Sequence, residues 1–159
     1  MKTFLQILIL VVVSIGIGLT VNALAPESLP LVAPESQFEV AVPDEQKVAH
    51  SEIIEFYESG EAIFVDARGA DAYTEGHIPG AFSIPYKEFE DGNVPEKVEL
   101  LPKEMTVVVY CDGADCHASK EVADHLLELG FQPDLVKVFH GGWKEWLDNG
   151  GEVESGEPL

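Results

Sequence analysis

Positive charge is what this sequence lacks most. Its 159 residues hold nine lysines and arginines against 29 aspartates and glutamates, a formal net charge of −20, and Arg68 is the single arginine. Such a chain does not neutralise a phosphate backbone, which excludes nucleic acid as a partner, and an anionic membrane surface repels it. The acidity reads instead as a solubility feature of an exported domain. Cysteine is nearly as scarce, with only Cys111 and Cys116, so at most one bridge can form and the fold rests on its core. At 46% hydrophobic residues the chain can bury one real core and not two large ones, and no internal repeat divides it.

Charge is absent altogether from Phe4 to Val21, an eighteen-residue stretch broken only by Gln6, Ser14 and Thr20 among polar types. It is longer than the usual apolar region of a cleaved signal and just long enough to span the hydrocarbon core as a helix. Residues 1–23 are therefore read as a membrane anchor or a signal peptide. The small Val21 and Ala23 allow cleavage after Ala23, whereas Pro26 opposes it after Ala25. Lys2 precedes the stretch, while all the acidic residues and the other eight basic ones follow it, so the body is expected on the exported side. If the segment is uncleaved, the chain is tethered to the membrane. Residues 24–45 carry Pro26, Pro30, Pro34 and Pro43 without periodicity and read as an extended tether.

From residue 46 to about 150 the pattern alternates. Lys47 to His50 reads as a short edge strand, with Ser51 as the N-cap of a helix through Ile53, Ile54, Phe56 and Tyr57 that Gly60 stops. Ala62 to Asp66 is a buried strand, a short helical turn around Asp71–Tyr73 follows, and Ala81 to Ile84 is a third strand closed by Pro85. Tyr86 to Leu101 is a charged, weakly helical excursion. Leu135 to Phe139 is the last strand, and Gly141-Gly142 turn the chain into a helix whose Trp143 and Trp146 share a face, as core, with a pocket wall as the other reading of Trp143. This alternation predicts an α/β fold: a parallel sheet with helices on both faces, preceded by an N-terminal apolar helix. Residues 151–159 form an acidic tail expected to be loose.

The most informative stretch is Met105 to Ser119. A β-branched run suited to a strand buried on both faces ends at Tyr110-Cys111, and from Ala118 the spacing of Val122, Ala123, Leu126 and Leu127 is helical. Cys111 thus stands at a strand-to-helix crossover at the carboxyl end of a parallel sheet, where ligands bind and where loop amides and a helix N-terminus favour a thiolate. The helix end is worth about 0.3–1 kcal/mol. Asp112 and Asp115 oppose it, because a unit charge about 4 Å away is worth roughly 1 kcal/mol in water and about 4 at an effective dielectric of about 20.

Asp66-Ala67-Arg68, Gly76-His77-Ile78-Pro79-Gly80-Ala81, Tyr110-Cys111 with its loop, and Gly141-Gly142-Trp143 with Trp146 resemble, in order and spacing, a single rhodanese domain over about residues 45 to 150. The resemblance implies a cysteine that accepts sulfane sulfur as a persulfide and passes it to a second nucleophile. Cys111 matches that catalytic position. The loop Asp112, Gly113, Ala114, Asp115, Cys116, His117, Ala118 and Ser119 would cradle the sulfur with its amides. It is about two residues longer than the family's and lacks the basic residue common in active members. Related phosphatases and arsenate reductases need an arginine shortly after the cysteine, and none stands there, which disfavours phosphate chemistry.

Cys116 enters as a resolving or disulfide partner. Three readings remain open: sulfur transfer modulated by Cys116, dithiol/disulfide redox chemistry, and an inert structural bridge. A metal site from Cys111, Cys116 and His117 is set aside, because no fourth ligand is evident and adjacent ligands must point apart. No cofactor is called for. Asp66 and Arg68 read as an ion pair bracing a strand end, and His77 as a hydrogen-bonded turn residue. The partners expected are a sulfur donor and a thiol acceptor. A reading of a different class is a non-catalytic binding module that docks a protein partner.

Overall fold

The structure, a computed structural model, describes residues 2–24 and 42–157, so most of the expected tether lies outside the described residues. Two units are distinct, Met1–Gln37 and Phe38–Leu159. The first contains α1 (Lys2–Leu24), whose window from Thr3 to Leu24 has a mean hydropathy of 2.6, long and apolar enough to cross a membrane.

The second unit runs β1 (Lys47–Val48), α2 (His50–Ser59), β2 (Ala62–Asp66), α3 (Ala70–Glu75) and β3 (Phe82–Ser83). Two 3-10 segments follow, Tyr86–Gly92 and Glu96–Leu100, and then β4 (Thr106–Tyr110), α4 (Ala118–Glu128), β5 (Val136–Phe139) and α5 (Gly142–Asp148). The five strands form one parallel sheet in the order β1-β5-β4-β2-β3. The expected α/β architecture is present, with the excursion after Pro85 folded as 3-10 turns.

Alternation along the central strand β4 divides the core. Val107 and Val109 face α4 and the 3-10 segments, with Val65, Val122, Leu126 and Val138. Val108 and Tyr110 face the other layer, with Ile53 of α2, Tyr73 of α3 and Trp146 of α5. Burying both faces of β4 is what its unbroken Thr-Val-Val-Val-Tyr run requires.

Two local expectations are corrected. Helix α2 starts two residues earlier than Ser51 predicts: Ala49 is its N-cap, and the Glu52 carboxylate accepts the Ala49 amide at 3.1 Å. An acidic side chain reaching back thus does what a hydroxyl was expected to do. The tail is not loose as far as Gly156. Glu154 and His77 exchange backbone hydrogen bonds of 2.8 and 3.0 Å, Trp146 Nε1 donates to the Glu152 carbonyl at 2.8 Å, and Tyr57 donates to the Glu152 carboxylate at 2.7 Å. Glycines and acids spread without periodicity conceal this pairing, because its partners are 77 and 95 positions away in sequence.

Candidate active site

Sheet register assembles the site. Asp66, Tyr110 and Phe139 stand level at the carboxyl ends of β2, β4 and β5. The residues that follow them, Arg68, Cys111 and Gly141 to Trp143, are thereby brought to one edge. The chain leaves β2 toward β3 on one side and β4 toward β5 on the other, so the crevice between β2 and β4 is the sheet's switch point.

Helix α5 docks directly on the cysteine loop. The Trp143 amide donates to the Cys111 carbonyl at 2.7 Å and the Lys144 amide to the Asp112 carbonyl at 3.0 Å. Gly142 permits this approach: its φ is +58°, and a Cβ there would lie 2.4 Å from the Cys111 oxygen. The Gly-Gly pair signalled a turn, while the close approach that demands glycine required the fold to be seen.

Asp66 is fully buried and pairs bidentately with Arg68 at 2.6 to 3.1 Å. Arg68 also donates to the Gly76 carbonyl at 2.7 Å, lies 4.7 Å over the Trp143 ring, and extends its remaining nitrogen to within 3.9 Å of the Asp112 carboxylate. Its guanidinium is spent on bracing, and it carries one positive charge toward the loop's first acid. Trp146 is core, and Trp143 is half-buried beneath Arg68. His77 donates from Nδ1 to the Tyr73 carbonyl at 2.8 Å, stacks on Tyr73, and sets Nε2 3.7 Å from Glu154, all contacts of a turn brace.

In the loop, the Cys116 amide donates to the Gly113 carbonyl at 3.0 Å, closing a turn that folds Cys116 back over the strand end. Gly113, Ala118 and Ser119 are buried, Ala114 is half-buried, and Asp112, Asp115 and His117 are exposed. Lys120, the first basic residue after the loop, is paired with Asp124 one turn along α4. Among the described residues no group of three or more His, Cys, Asp or Glu is placed to hold a metal ion.

Both cysteines are free thiols. Cys111 is 1% exposed, with Sγ 3.2 Å from the Ser119 hydroxyl, 3.3 Å from the Cys116 carbonyl and 3.9 Å from the Gly113 carbonyl. Cys116 is half-buried. Of the groups at the Cys111 sulfur, the Ser119 hydroxyl can donate, whereas the Cys116 and Gly113 carbonyls only accept. Hydrogen bonding to Cys116 and then burial push the Cys111 pKa up. Hydrogen bonding with Cys111 is the largest influence on Cys116 and draws its pKa down, with burial opposing and the Ala118 and Asp112 amides adding.

Two free thiols at the carboxyl end of the central strand, at a switch point just ahead of α4, define an α/β protein with a cysteine loop at its ligand-binding edge. The Rhodanese-like domain family profile matches residues 49–149. The chain belongs to this rhodanese-like family of sulfurtransferases. It is 31% identical over 101 residues to a thiosulfate sulfurtransferase GlpE of Coxiella burnetii, covering 64% of this chain and 86% of that one. An HTH-type transcriptional regulator of Mycobacterium tuberculosis is 31% identical over 139 residues, 87% of this chain but only 58% of the regulator's length. A crystal structure of a Bacillus halodurans protein superposes with a TM-score of 0.57 at 34% identity, over 66% of this chain and 73% of that one.

Proposed function

We propose that this chain is an exported, membrane-tethered sulfurtransferase that carries a sulfane sulfur as a persulfide on Cys111, with the Asp112–Ser119 loop as its cradle. The observation that carries the reading is a free thiol, Cys111, beside the Ser119 hydroxyl at the central strand's carboxyl end in a rhodanese-like domain, with the second free thiol, Cys116, in the same loop. In uptake, a loop thiolate attacks the outer sulfur of a persulfide donor R–S–SH. A new S–S bond forms, the old one breaks, and its electron pair leaves as R–S⁻. In delivery, an acceptor thiolate takes the outer sulfur and the loop thiolate is released.

Asp112 and Asp115 select the donor. Both are exposed at the loop, where they disfavour a dianion such as thiosulfate, so the donor is a neutral or protein-borne persulfide. Lys2 ahead of the apolar helix supports an orientation with the domain on the exported side. The two free thiols on one loop, with the Cys111 sulfur 3.3 Å from the Cys116 carbonyl, favour a second reading, reversible dithiol/disulfide redox chemistry at the same pair.

The test is intact and peptide mass spectrometry of the full chain, without reductant, before and after polysulfide. A gain of one sulfur on the loop peptide is the expected result. A Cys111–Cys116 disulfide that resists both polysulfide and mild reductant makes the pair structural and the chain a binding module. Disulfide formation without sulfur gain, reversed by a dithiol, assigns redox chemistry.

A further inference from the structure

We propose that Asp112 is the specificity-determining residue of this site: its carboxylate is a built-in anion that masks the one uncommitted nitrogen of Arg68 and so closes an oxyanion subsite at the edge of the cysteine loop. The proposal deepens the sulfurtransferase reading by naming what keeps anionic sulfur donors out, and it rests on that reading only where transfer is measured.

The guanidinium is the first ground. Its side chain is 4% exposed, and Nε and Nη2 are committed to the Asp66 carboxylate and the Gly76 carbonyl at 2.6 to 3.1 Å. Nη1 makes no hydrogen bond to any described residue. The Asp112 carboxylate stands 3.9 Å from it, close enough to neutralise its charge and too far to accept its N–H groups. Two unfilled N–H donors on a buried guanidinium are what an oxyanion fits. The rings of Trp143 and Tyr110, 4.7 and 5.8 Å from Cζ, hold Arg68 in place.

The cover is the second ground. The Asp112 side chain is 71% exposed, while its carbonyl is pinned by the Lys144 amide at 3.0 Å. The carboxylate can therefore rotate away, or be replaced, without moving the loop backbone. Asp115 is exposed on the same loop and has no ion-pair partner among the described residues, so only one of the two acids can mask. Asp112 directly follows Cys111, which places an anion seated in its stead at the mouth of the loop. The ligand class is a small oxyanion, such as the sulfonate end of thiosulfate. In uptake from that donor the Cys111 thiolate attacks the outer sulfur, a new S–S bond forms, and the old one breaks with its electron pair leaving on sulfite.

Sulfate, which donates no sulfur, is the probe. It is titrated at constant ionic strength into the full chain in mild detergent, and the emission of Trp143 beneath Arg68 is followed in the wild type, Asp112→Asn, Asp115→Asn and Asp112→Glu. Asp112→Asn should bind sulfate about tenfold more tightly than Asp115→Asn, the margin of one charge-assisted hydrogen bond. Asp112→Glu, which restores a carboxylate, should behave as the wild type does. In thiosulfate turnover with cyanide, KM should fall about tenfold in Asp112→Asn with kcat held within about twofold, and Asp115→Asn should show the smaller fall expected of lost repulsion alone. Asp112→Ser repeats both measurements if the amide variant does not fold.

Equal sulfate affinities in Asp112→Asn and Asp115→Asn, or wild-type binding as tight as in Asp112→Asn, overturn the masking. Selective sulfate binding in Asp112→Asn without sulfur transfer by any protein leaves the subsite standing and overturns the sulfurtransferase reading instead.

Discussion

Replacing Gly142 with alanine tests how α5 is locked to the cysteine loop. Two costs arise at this position. The first is the left-handed backbone, φ +58°, which an L side chain adopts at a cost of about 1–2 kcal/mol. The second is steric: the new Cβ would lie 2.4 Å from the Cys111 carbonyl oxygen, 3.0 Å from the Gly113 nitrogen and 3.1 Å from the Asp112 carbonyl carbon. All three are backbone atoms, so relief requires the helix or the loop to move, at about 1–3 kcal/mol.

Gly60→Ala supplies the control, since Gly60 has a φ of +68° and open space around its Cβ position. It carries the first cost without the second. Urea unfolding of the full chain in mild detergent, followed by tryptophan fluorescence, should place Gly142→Ala about 2 kcal/mol below Gly60→Ala. At a slope of about 2 kcal/mol/M that is roughly 1 M in midpoint. Sulfur loading should slow only in Gly142→Ala, because the displaced amides of Trp143 and Lys144 hold the carbonyls of Cys111 and Asp112. Equal midpoints for the two variants would refute the close approach as the reason for glycine at 142.

Asp66→Asn leaves Arg68 buried without its bidentate partner and is expected to cost about 3–5 kcal/mol, measured by the same unfolding assay, with Trp143 fluorescence altered in the native state. Ending the chain at Gly150 removes the Trp146–Glu152, Tyr57–Glu152 and His77–Glu154 hydrogen bonds; at about 0.5–1.5 kcal/mol each the loss should reach about 2–4 kcal/mol, and no loss would mean the tail is idle. Sulfur transfer from thiosulfate should be slow and rise with added salt as Asp112 and Asp115 are screened, while transfer from a neutral alkyl persulfide stays flat; rapid turnover of thiosulfate with cyanide at physiological salt would refute donor selection by these acids.

The strands were legible because each has a run that only one environment suits. Thr106 to Tyr110 and Ala62 to Asp66 are apolar on successive residues, which fits a strand covered on both faces, and both occur as expected. Helix α4 likewise shows its buried side in the spacing of Val122, Ala123 and Leu126, with Gly130 at φ +86° just beyond it. Ser51 misled because hydroxyl capping is a local rule, and the carboxylate of the next residue, Glu52, reaches back three positions to the Ala49 amide and sets the helix start there. Asp66 and Arg68 were recognisable as a brace from their two-residue spacing.

Local patterning therefore determined by itself that this chain folds as a parallel α/β domain behind an apolar helix, with its thiols at a strand-to-helix crossover. Periodicity and turn chemistry are properties of neighbouring residues. The surroundings of each sulfur are not. That Cys111 lies between the Cys116 and Gly113 carbonyls and the Ser119 hydroxyl, that Gly142 lets α5 rest on the loop and that Glu154 pairs with His77 were decided by the register of separate strands and by one loop turn. Hydrogen-bond direction and exposure, which set thiolate character, arise only once those distant segments are brought together.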